Sequence, residues 1–325
     1  MPCSLESRVS VVVPCFNEQE VLRETHRRLS AALRELRLDY EIVYVDDGSR
    51  DETPAILRSL QAADDHVVVV RFSRNFGHQI AATAGLDYAT GDAVVLIDAD
   101  LQDPPEVITE FVARWRDGYD VAYGQRTERD GETVFKRVTA SLFYRVLRTL
   151  TPIDIPPDTG DFRLMDRRVV EALRQMPEQD RFLRGMVSWV GFRQTAVPYR
   201  REARYAGVSK YPLRRMLRLA SDAIVAFSPL PPRLASFAGV AGLAAGSLAL
   251  VAVLSMAVIK WSPPSAGSLA LVAVLLLGGT QLLAIGLLGE YAARIYRQVQ
   301  GRPLYVVRET LGAVDATARS LDRAA

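Results

Sequence analysis

The chain has 325 residues, with 40 basic and 38 acidic side chains and a formal net charge of +2. This length allows one large domain or two of ordinary size, and the balanced charge excludes neither an anionic substrate nor a membrane surface. The two cysteines, Cys3 and Cys15, exclude a disulfide framework and indicate a reducing compartment. The apolar run Val9–Val13 is too short for a signal peptide.

Apolar runs that alternate with amphipathic runs occupy the first part of the chain. The predicted strands are Arg8–Pro14, Tyr40–Val45, Val67–Phe72 and Ala93–Ile97, and the predicted helices are Glu20–Arg37, Thr53–Ala62 and Gln79–Ala89. This alternation predicts an α/β fold with a doubly wound parallel sheet. Each strand ends in polar, turn-forming residues, so we expect one edge of the sheet to carry the site.

An acidic segment, Asp98-Ala-Asp-Leu-Gln-Asp-Pro-Pro, follows the fourth predicted strand. On an extended backbone Asp98 and Asp100 share one side, because side chains alternate with period two. Two carboxylates and the amide oxygen of Gln102 are hard ligands that suit Mg²⁺ or Mn²⁺ bound to a diphosphate. A solvated acidic turn is the alternative interpretation of such a pair.

The middle of the chain contains weaker patterns. They predict a strand over Tyr119–Gly124, an amphipathic helix over Phe135–Leu150, a tight polar turn over Asp158–Arg163 and a helix over Asp166–Gln175. The helix 135–150 packs on the sheet or lies at a membrane interface, and the pattern does not decide between the two. His78, between a glycine and a helix start, is interpreted as structural, and Arg126 as a solvated loop residue.

A long apolar region lies near the end of the chain, where Lys260 is the single charge between Leu234 and Leu288. It predicts transmembrane helices over 234–259 and 268–289, each long enough for a hydrocarbon core of about 30 Å. Two buried helices of a soluble protein are the alternative. Arginines outnumber Lys260 on the outer flanks, so the positive-inside rule places both termini in the cytoplasm, at a cytoplasmic (inner) membrane.

The predicted domains follow from this pattern. Residues 1–210 form a cytoplasmic catalytic domain, 211–232 an amphipathic interfacial helix and linker, 233–290 the two transmembrane helices, and 291–325 a cytoplasmic tail.

Several motifs of this chain resemble those of family 2 glycosyltransferases with the GT-A fold. They are Val11-Val-Val-Pro-Cys-Phe-Asn-Glu18, Val45-Asp-Asp-Gly-Ser49, Arg74-Asn-Phe-Gly77 and the acidic segment 98–105. Within that family, Gly160-Asp-Phe-Arg163, Arg201-Glu-Ala-Arg204 and Gly207-Val-Ser-Lys-Tyr211 are similar to polyprenyl-phosphate glycosyltransferases of the GtrB and dolichol-phosphate-mannose synthase types. The resemblance covers residues 8–300.

The resemblance implies a Rossmann-like GT-A domain that binds a nucleotide diphospho-sugar, a divalent metal and a polyprenyl phosphate. It also implies a homo-oligomer, such as a tetramer, and no nucleic-acid partner. By matching position it assigns the donor nucleotide to Pro14, Asn17, Glu18, Asp46, Asp47 and Asp98. It assigns the metal to Asp98, Asp100 and Gln102, catalysis to Asp161 and Asp100, and the acceptor phosphate to Arg201, Arg204 and Lys210.

We therefore expect inverting, metal-dependent transfer of a hexose to undecaprenyl phosphate for cell-envelope glycan modification, with UDP-glucose as the first choice of donor. GDP-mannose and a UDP-4-amino-arabinose stay open as donors. Such an acceptor is already largely ionised at neutral pH, since its second pKa is about 6, so Asp161 is either a base or an orienting residue. A processive synthase is disfavoured because Arg184 and Trp189 lack the Gln-x-x-Arg-Trp spacing. An inactive nucleotide-binding membrane scaffold is the alternative of another class.

Overall fold

The structure, a computed structural model, describes residues 7–127, 159–202, 251 and 266–313. The described strands are β1 Arg8–Cys15, β2 Asp39–Asp46, β3 Val67–Phe72, β4 Ala93–Leu96, β5 Val121–Arg126, β6 Thr159–Asp166, β7 Gln194–Tyr199 and β8 Val307–Leu311. The described helices are α1 Leu22–Glu35, α2 Thr53–Ala63, α3 His78–Tyr88, α4 Ile108–Arg116, α5 Arg167–Arg174, α6 Leu183–Trp189 and α7 Ala266–Val299. A 3₁₀ turn, Pro105–Val107, precedes α4.

The strands form one mixed sheet in the order β7-β5-β6-β4-β1-β2-β3-β8. Its centre, β4-β1-β2-β3, is parallel as predicted. The prediction covered only these strands, and the flanking strands add antiparallel pairs, because β6 runs antiparallel to β4 and β5, and β8 runs antiparallel to β3. The carboxyl ends of the four central strands nevertheless meet at one edge, as the sequence predicts.

Strand β1 shows why the apolar runs form the centre of the sheet. Val9, Val11 and Val13 are fully buried on one face, in a core that includes residues of α1, α2 and α4. Val12 is equally buried but faces the other way, where Gly85 of α3 lies against it. Helices therefore cover both faces, which explains why the strand is apolar throughout rather than alternating.

Residues 159–163, the described part of the predicted polar turn 158–163, do not form a turn. Residues from Thr159 to Asp166 form strand β6, and every one of them is buried. The prediction was wrong because Asp161 and Arg163 are charged and yet lie in the sheet interior, where other side chains and backbone groups neutralise or solvate them. A polar sequence alone gives no sign of such partners.

Helix α7 spans 34 residues and includes the second predicted transmembrane segment, 268–289. It belongs to a second compact unit of the chain, whereas the sheet and residues from Arg302 onward belong to the first. In the part of the chain that the structure describes, no helix is both long and apolar enough to cross a membrane. The helix predicted over 135–150, the interfacial helix 211–232 and, apart from residue 251, the segment 234–259 lie outside the described residues. The transmembrane hairpin stays a prediction.

Candidate active site

Two loops meet at the carboxyl ends of β2 and β3. Asp47 is buried between them, and its Oδ1 and Oδ2 accept hydrogen bonds from the backbone N–H groups of Phe76 (2.6 Å) and Gly77 (3.0 Å). Gly48 (φ +68°) permits this approach, because a Cβ there would lie 2.5 Å from the carbonyl carbon of Arg74. Burial raises the pKa of Asp47, although the two N–H groups act in the opposite direction.

The loop after β1 is tied to the loop after β2. Asp46 is fully buried; its Oδ1 accepts from the N–H of Ser49 (2.9 Å), and its Oδ2 lies 3.1 Å from Nε of Arg71. Asn17, in the left-handed region (φ +54°), donates its N–H to Oγ of Ser49 (2.9 Å) and accepts from the N–H of Arg50 (2.9 Å). These polar side chains therefore hold the two loops together at the predicted edge of the sheet.

Pro14 and Glu18, which the resemblance also assigns to the donor nucleotide, lie at the same edge of the sheet. Pro14 is in β1 opposite Val45 of β2, and the N–H of Glu18 donates to Oγ1 of Thr53 (2.9 Å). The structure thus brings together, at the ends of β1 and β2 and in the loops after them, the residues there that the resemblance assigns to the nucleotide.

The acidic segment after β4 is a turn, not an extended strand. The strand ends at Leu96, Leu101 adopts a positive φ of 57°, and Oδ1 of Asp100 accepts from the N–H of Gln102 (3.2 Å). The prediction that Asp98 and Asp100 share one side of an extended backbone is therefore wrong, because Ala99 and Asp100 already lie in the turn that follows β4. Buried Ala99 and Leu101 fix the turn against the core.

A charged cluster lies beside this turn and joins α3, β6 and α6. Nε2 of His78 lies 3.3 Å from Oδ1 of Asp98 and 3.6 Å from Oδ2 of Asp161. Nε of Arg184 donates to Oδ1 of Asp161 (2.7 Å), and Nε2 of Gln79 donates to its Oδ2 (3.0 Å). Both oxygens of Asp161 are therefore engaged, while Asp98 is about a third exposed at 34%.

The two carboxylates of this cluster have opposite pKa shifts. Burial is the largest influence on Asp98 and raises its pKa to about 6. Burial also acts to raise the pKa of Asp161, but the Arg184 guanidinium and His78 outweigh it and hold that pKa well below its ordinary value. Burial lowers the pKa of His78, yet Asp98 and Asp161 raise it to about 9. A carboxylate with so low a pKa and both oxygens engaged is a weak proton acceptor.

Arg163 lies two residues after Asp161 in β6, and its hydrogen bonds go to backbone carbonyls rather than to the Asp161 carboxylate. The Arg163 guanidinium is buried and donates to the carbonyl oxygens of Gly160 (2.9 Å) and Asp161 (3.3 Å). Burial lowers the pKa of Arg163 to about 10. Its role in this arrangement is to satisfy backbone carbonyls of β6.

A second cluster surrounds buried Asp103 and includes Arg201, which the resemblance assigns to the acceptor phosphate. Tyr199 donates its hydroxyl to Oδ1 of Asp103, while Nη2 of Arg126 lies 3.6 Å and Nε of Arg201 3.9 Å from the same oxygen. Nη2 of Arg201 also donates to Oε1 of Gln102 (2.7 Å). The interpretation of Arg126 as a solvated loop residue is wrong, because its side chain is only 19% exposed.

Of the acceptor-phosphate residues that the sequence assigns, Arg201 is described and Arg204 and Lys210 lie outside the described residues.

The carboxylates beside β4 fit a divalent cation. Oδ1 of Asp98 is buried and, beside the ion-pair distance of 3.3 Å to Nε2 of His78, accepts no hydrogen bond within the described ranges, so this oxygen retains lone pairs that suit a hard cation. Among the described residues no three His, Cys, Asp or Glu side chains form a ready metal cage. The assigned set instead combines two carboxylates with the amide of Gln102, whose Oε1 is bonded to Arg201.

Sequence reasoning missed His78, Gln79 and Arg184 as members of the site. For His78 and Gln79 a signal existed, because they begin the helix that follows β3 at the predicted edge. For Arg184 no such signal existed, because it reaches Asp161 from a short helix that is distant in sequence from the strands of the central sheet.

Comparisons with known proteins identify the family of this chain. The model of the family described as glycosyl transferase family 2 matches residues 10–174. The chain is 50% identical to an uncharacterized glycosyltransferase, YkcC, of Bacillus subtilis over 93% of this chain and 94% of that protein. It is 38% identical to a prophage-derived bactoprenol glucosyl transferase of Shigella flexneri, over 93% of this chain and 98% of that one.

Among solved structures, the chain is similar to glucosyl-3-phosphoglycerate synthase of Mycobacterium tuberculosis in complex with Mn²⁺, UDP-glucose and phosphoglyceric acid. That match has a TM-score of 0.45 and 20% identity, over 67% of this chain and 77% of the other. The predicted family is confirmed by the sequence matches, and the mixed α/β sheet is of the GT-A type. The chain belongs to glycosyl transferase family 2 and is a glycosyltransferase.

Proposed function

We propose that this chain transfers a hexose, with inversion, from a nucleotide sugar to a polyprenyl phosphate, with UDP-glucose and undecaprenyl phosphate as substrates. Its support in sequence is the 38% identity to a bactoprenol glucosyl transferase over nearly the whole chain. A homologue of that enzyme in Escherichia coli is 37% identical over the same share of this chain. The lipid-linked sugar would serve modification of cell-envelope glycans.

One contact in the structure carries the proposal. Gln102, assigned to the metal and the donor diphosphate, accepts a hydrogen bond from Arg201, assigned to the acceptor phosphate (2.7 Å). Direct displacement requires the attacking oxygen to approach the sugar carbon to about 3–3.5 Å. The donor and acceptor phosphate sites must then be neighbours, which is how these two side chains are arranged.

Asp98 and Asp100 would hold Mg²⁺ or Mn²⁺, joined by Gln102 once its oxygen leaves Arg201. When bound, the cation would neutralise charge on the leaving nucleoside diphosphate. Arg201 would bind the acceptor phosphate through charge-assisted hydrogen bonds. Because that phosphate is already largely ionised at neutral pH, with a second pKa of about 6, its attack needs placement more than deprotonation.

Asp161 is in this proposal a positioning residue. It fixes Arg184 through Oδ1 and Gln79 through Oδ2, and it holds His78 beside Asp98. Gln79 in turn accepts from the N–H of Leu183 (3.0 Å), so the start of α6 is attached to the start of α3. The positive groups beside the acidic turn are thereby kept in one place.

A membrane setting is part of the proposal. Helix α7 exposes large apolar side chains, including Val274 at 66%, Ile285 at 64% and Leu288 at 64%. A helix with such a surface would be stable against lipid, where a polyprenyl acceptor resides. We propose an inner-membrane enzyme with the sheet domain and both termini in the cytoplasm, assembled as a homo-oligomer.

The experiment is transfer by the full chain in detergent, from radiolabelled UDP-glucose or GDP-mannose to undecaprenyl phosphate, with Mg²⁺ or Mn²⁺. We expect label in the organic extract from UDP-glucose, lost on chelation of the metal and reduced by about 10³-fold in Asp100→Ala. Asp65→Ala, a change of the same kind at an exposed position, is the matched control and should retain wild-type activity.

Each other outcome has a defined meaning. Label from GDP-mannose alone would keep the reaction and replace the donor. Nucleotide binding by folded protein without label from either donor would contradict the two named donors. A UDP-4-amino-arabinose donor would then be tested before the inactive scaffold is accepted.

A further inference from the structure

The chain returns to the catalytic sheet after α7 and adds the edge strand β8. This strand pairs antiparallel with β3, with Glu309 opposite Arg71 and Val307 opposite Phe72. At its end Gly312 adopts a φ of +93°, and a Cβ there would lie 2.6 Å from the carbonyl oxygen of Val67. Strand β8 and Gly312 therefore pack closely against β3, the strand that precedes the loop 73–77.

Tyr305, just before β8, is connected through Phe72 to the loop 73–77 that follows β3. Its ring stacks on Phe72 at the end of β3, with centroids 5.1 Å apart and planes inclined by 16°. Phe72 contacts Phe76 edge-on at 5.5 Å, and the N–H of Phe76 donates to Asp47. The Tyr305 hydroxyl donates to Asp87 of α3 (2.9 Å), so the same side chain also contacts the helix that begins at His78.

The same segment also holds the loop at its start and the strand beneath it. The carbonyl of Val306 accepts from the N–H of Ser73 (2.9 Å), the first residue of the loop. Oε2 of Glu309 pairs with Nη2 of Arg58 at 2.8 Å and lies farther, at 3.9 Å, from Nη1 of Arg71, so Glu309 belongs mainly to the ion pair with Arg58. The aromatic contacts of Tyr305 and the hydrogen bond between Val306 and Ser73 are therefore what connects this segment to the loop that holds Asp47.

We propose that Tyr305 is a positioning residue for the donor nucleotide, acting through Phe72 and the loop 73–77. This rests on the proposed function, because it assigns the pocket at Asp46 and Asp47 to a nucleotide. The donor site is then built from β1 and β2 together with the segment around β8. Nucleotide affinity depends on the pairing of β8 with β3. The acceptor side has no such contact within the described residues.

The test compares Tyr305→Leu, which removes ring and hydroxyl, with Tyr305→Phe, which keeps the ring. Arg308→Gln, an exposed change on the same strand, is the control. In the full chain, Tyr305→Leu should speed amide hydrogen exchange in residues 73–77 and raise the KM for UDP-glucose about tenfold, the scale of one lost aromatic pair. We expect the kcat and the acceptor KM to stay near wild type, and Tyr305→Phe to restore most of the donor KM.

Several results would overturn the inference. One is unchanged exchange in residues 73–77, and another is a lower melting temperature with an unchanged donor KM, which is what a merely structural role produces. The exchange measurement needs no nucleotide, so it decides the role of Tyr305 in the loop independently. If wild-type protein binds neither UDP nor GDP, the proposed function fails, and the assignment of Tyr305 to a donor nucleotide fails with it.

Discussion

The two sides of the active site hold their carboxylates by different means. On the nucleotide side, Asp47 accepts two backbone N–H groups and its pKa is raised by burial. On the opposite side, Asp161 accepts from Arg184 and Gln79, and the guanidinium holds its pKa well below the ordinary value. Backbone amides carry partial charges and fix the path of a loop, whereas a full cation fixes both the ionisation and the direction of its partner. We therefore expect the first arrangement to govern donor affinity and the second to govern the rate of transfer.

Of these two carboxylates, Asp161 is expected to give the larger effect, in the variant Asp161→Asn. Loss of the charge removes the ion pair between the Asp161 carboxylate and the partly buried Arg184 guanidinium, and we expect a loss of about 3 kcal/mol in the free energy of unfolding. The displaced Arg184 and His78 should lower kcat about 100-fold with little change in the donor KM. Unfolding in denaturant and steady-state transfer assays measure the two effects.

Asp166→Asn is the matched control for that change, because Asp166 is also a buried carboxylate of β6 but binds Trp115 and Arg168 instead. It should lower stability and leave kcat near wild type. An equal fall in kcat in both variants would show that Asp161 acts through the stability of β6 alone.

A smaller effect, on a different parameter, is expected from Asp47→Asn. The amide group replaces one acceptor oxygen, so one N–H of Phe76 or Gly77 loses its hydrogen bond at a cost of about 1–1.5 kcal/mol. The donor KM should therefore rise about tenfold while kcat changes little. Initial rates at varied UDP-glucose, beside the exposed control Asp65→Asn, measure this. A fall in kcat with an unchanged donor KM would remove the distinction between the two sides.

The smallest expected effect concerns the pH dependence of stability. It is tested at Asp166, which lies outside the two clusters. Burial acts to raise its pKa, but Trp115 Nε1 and Arg168 outweigh this and lower it. A lowered folded-state pKa contributes stability above the unfolded value of about 3.9, and this is lost as pH falls through the folded value. Melting temperatures from pH 6 to pH 3 should therefore fall less steeply in Asp166→Asn than in wild type. Equal slopes would show that Asp166 does not contribute to acid sensitivity.

The central half of the fold could be predicted because its signals are local. Val9–Val13 and Ala93–Leu96 are apolar throughout because helices cover both faces of the sheet, and the strand bounds agree with prediction within two residues at each end. The polar residues after β1, β2 and β4 also meet as predicted, since parallel strands end at one edge.

Strands β6 and β8 could not be predicted in the same way. In β6, Asp161 and Arg163 are buried because Arg184 and backbone carbonyls compensate them, and these partners are distant in sequence. In β8, Arg308 and Glu309 give the polar composition of a tail, and the strand forms only because β3 offers an open edge.

By itself, the sequence determined the family, the parallel centre of the sheet and the edge at which the donor residues collect. These follow from residue patterns that are contiguous, or from motifs that are fixed by the chemistry of a bound diphosphate. Only the tertiary structure decided that His78 and Arg184 join Asp161, that Gln102 touches Arg201, and that Tyr305 stacks on Phe72. Each of these contacts joins residues from different elements, and its energy depends on distances that no local pattern records.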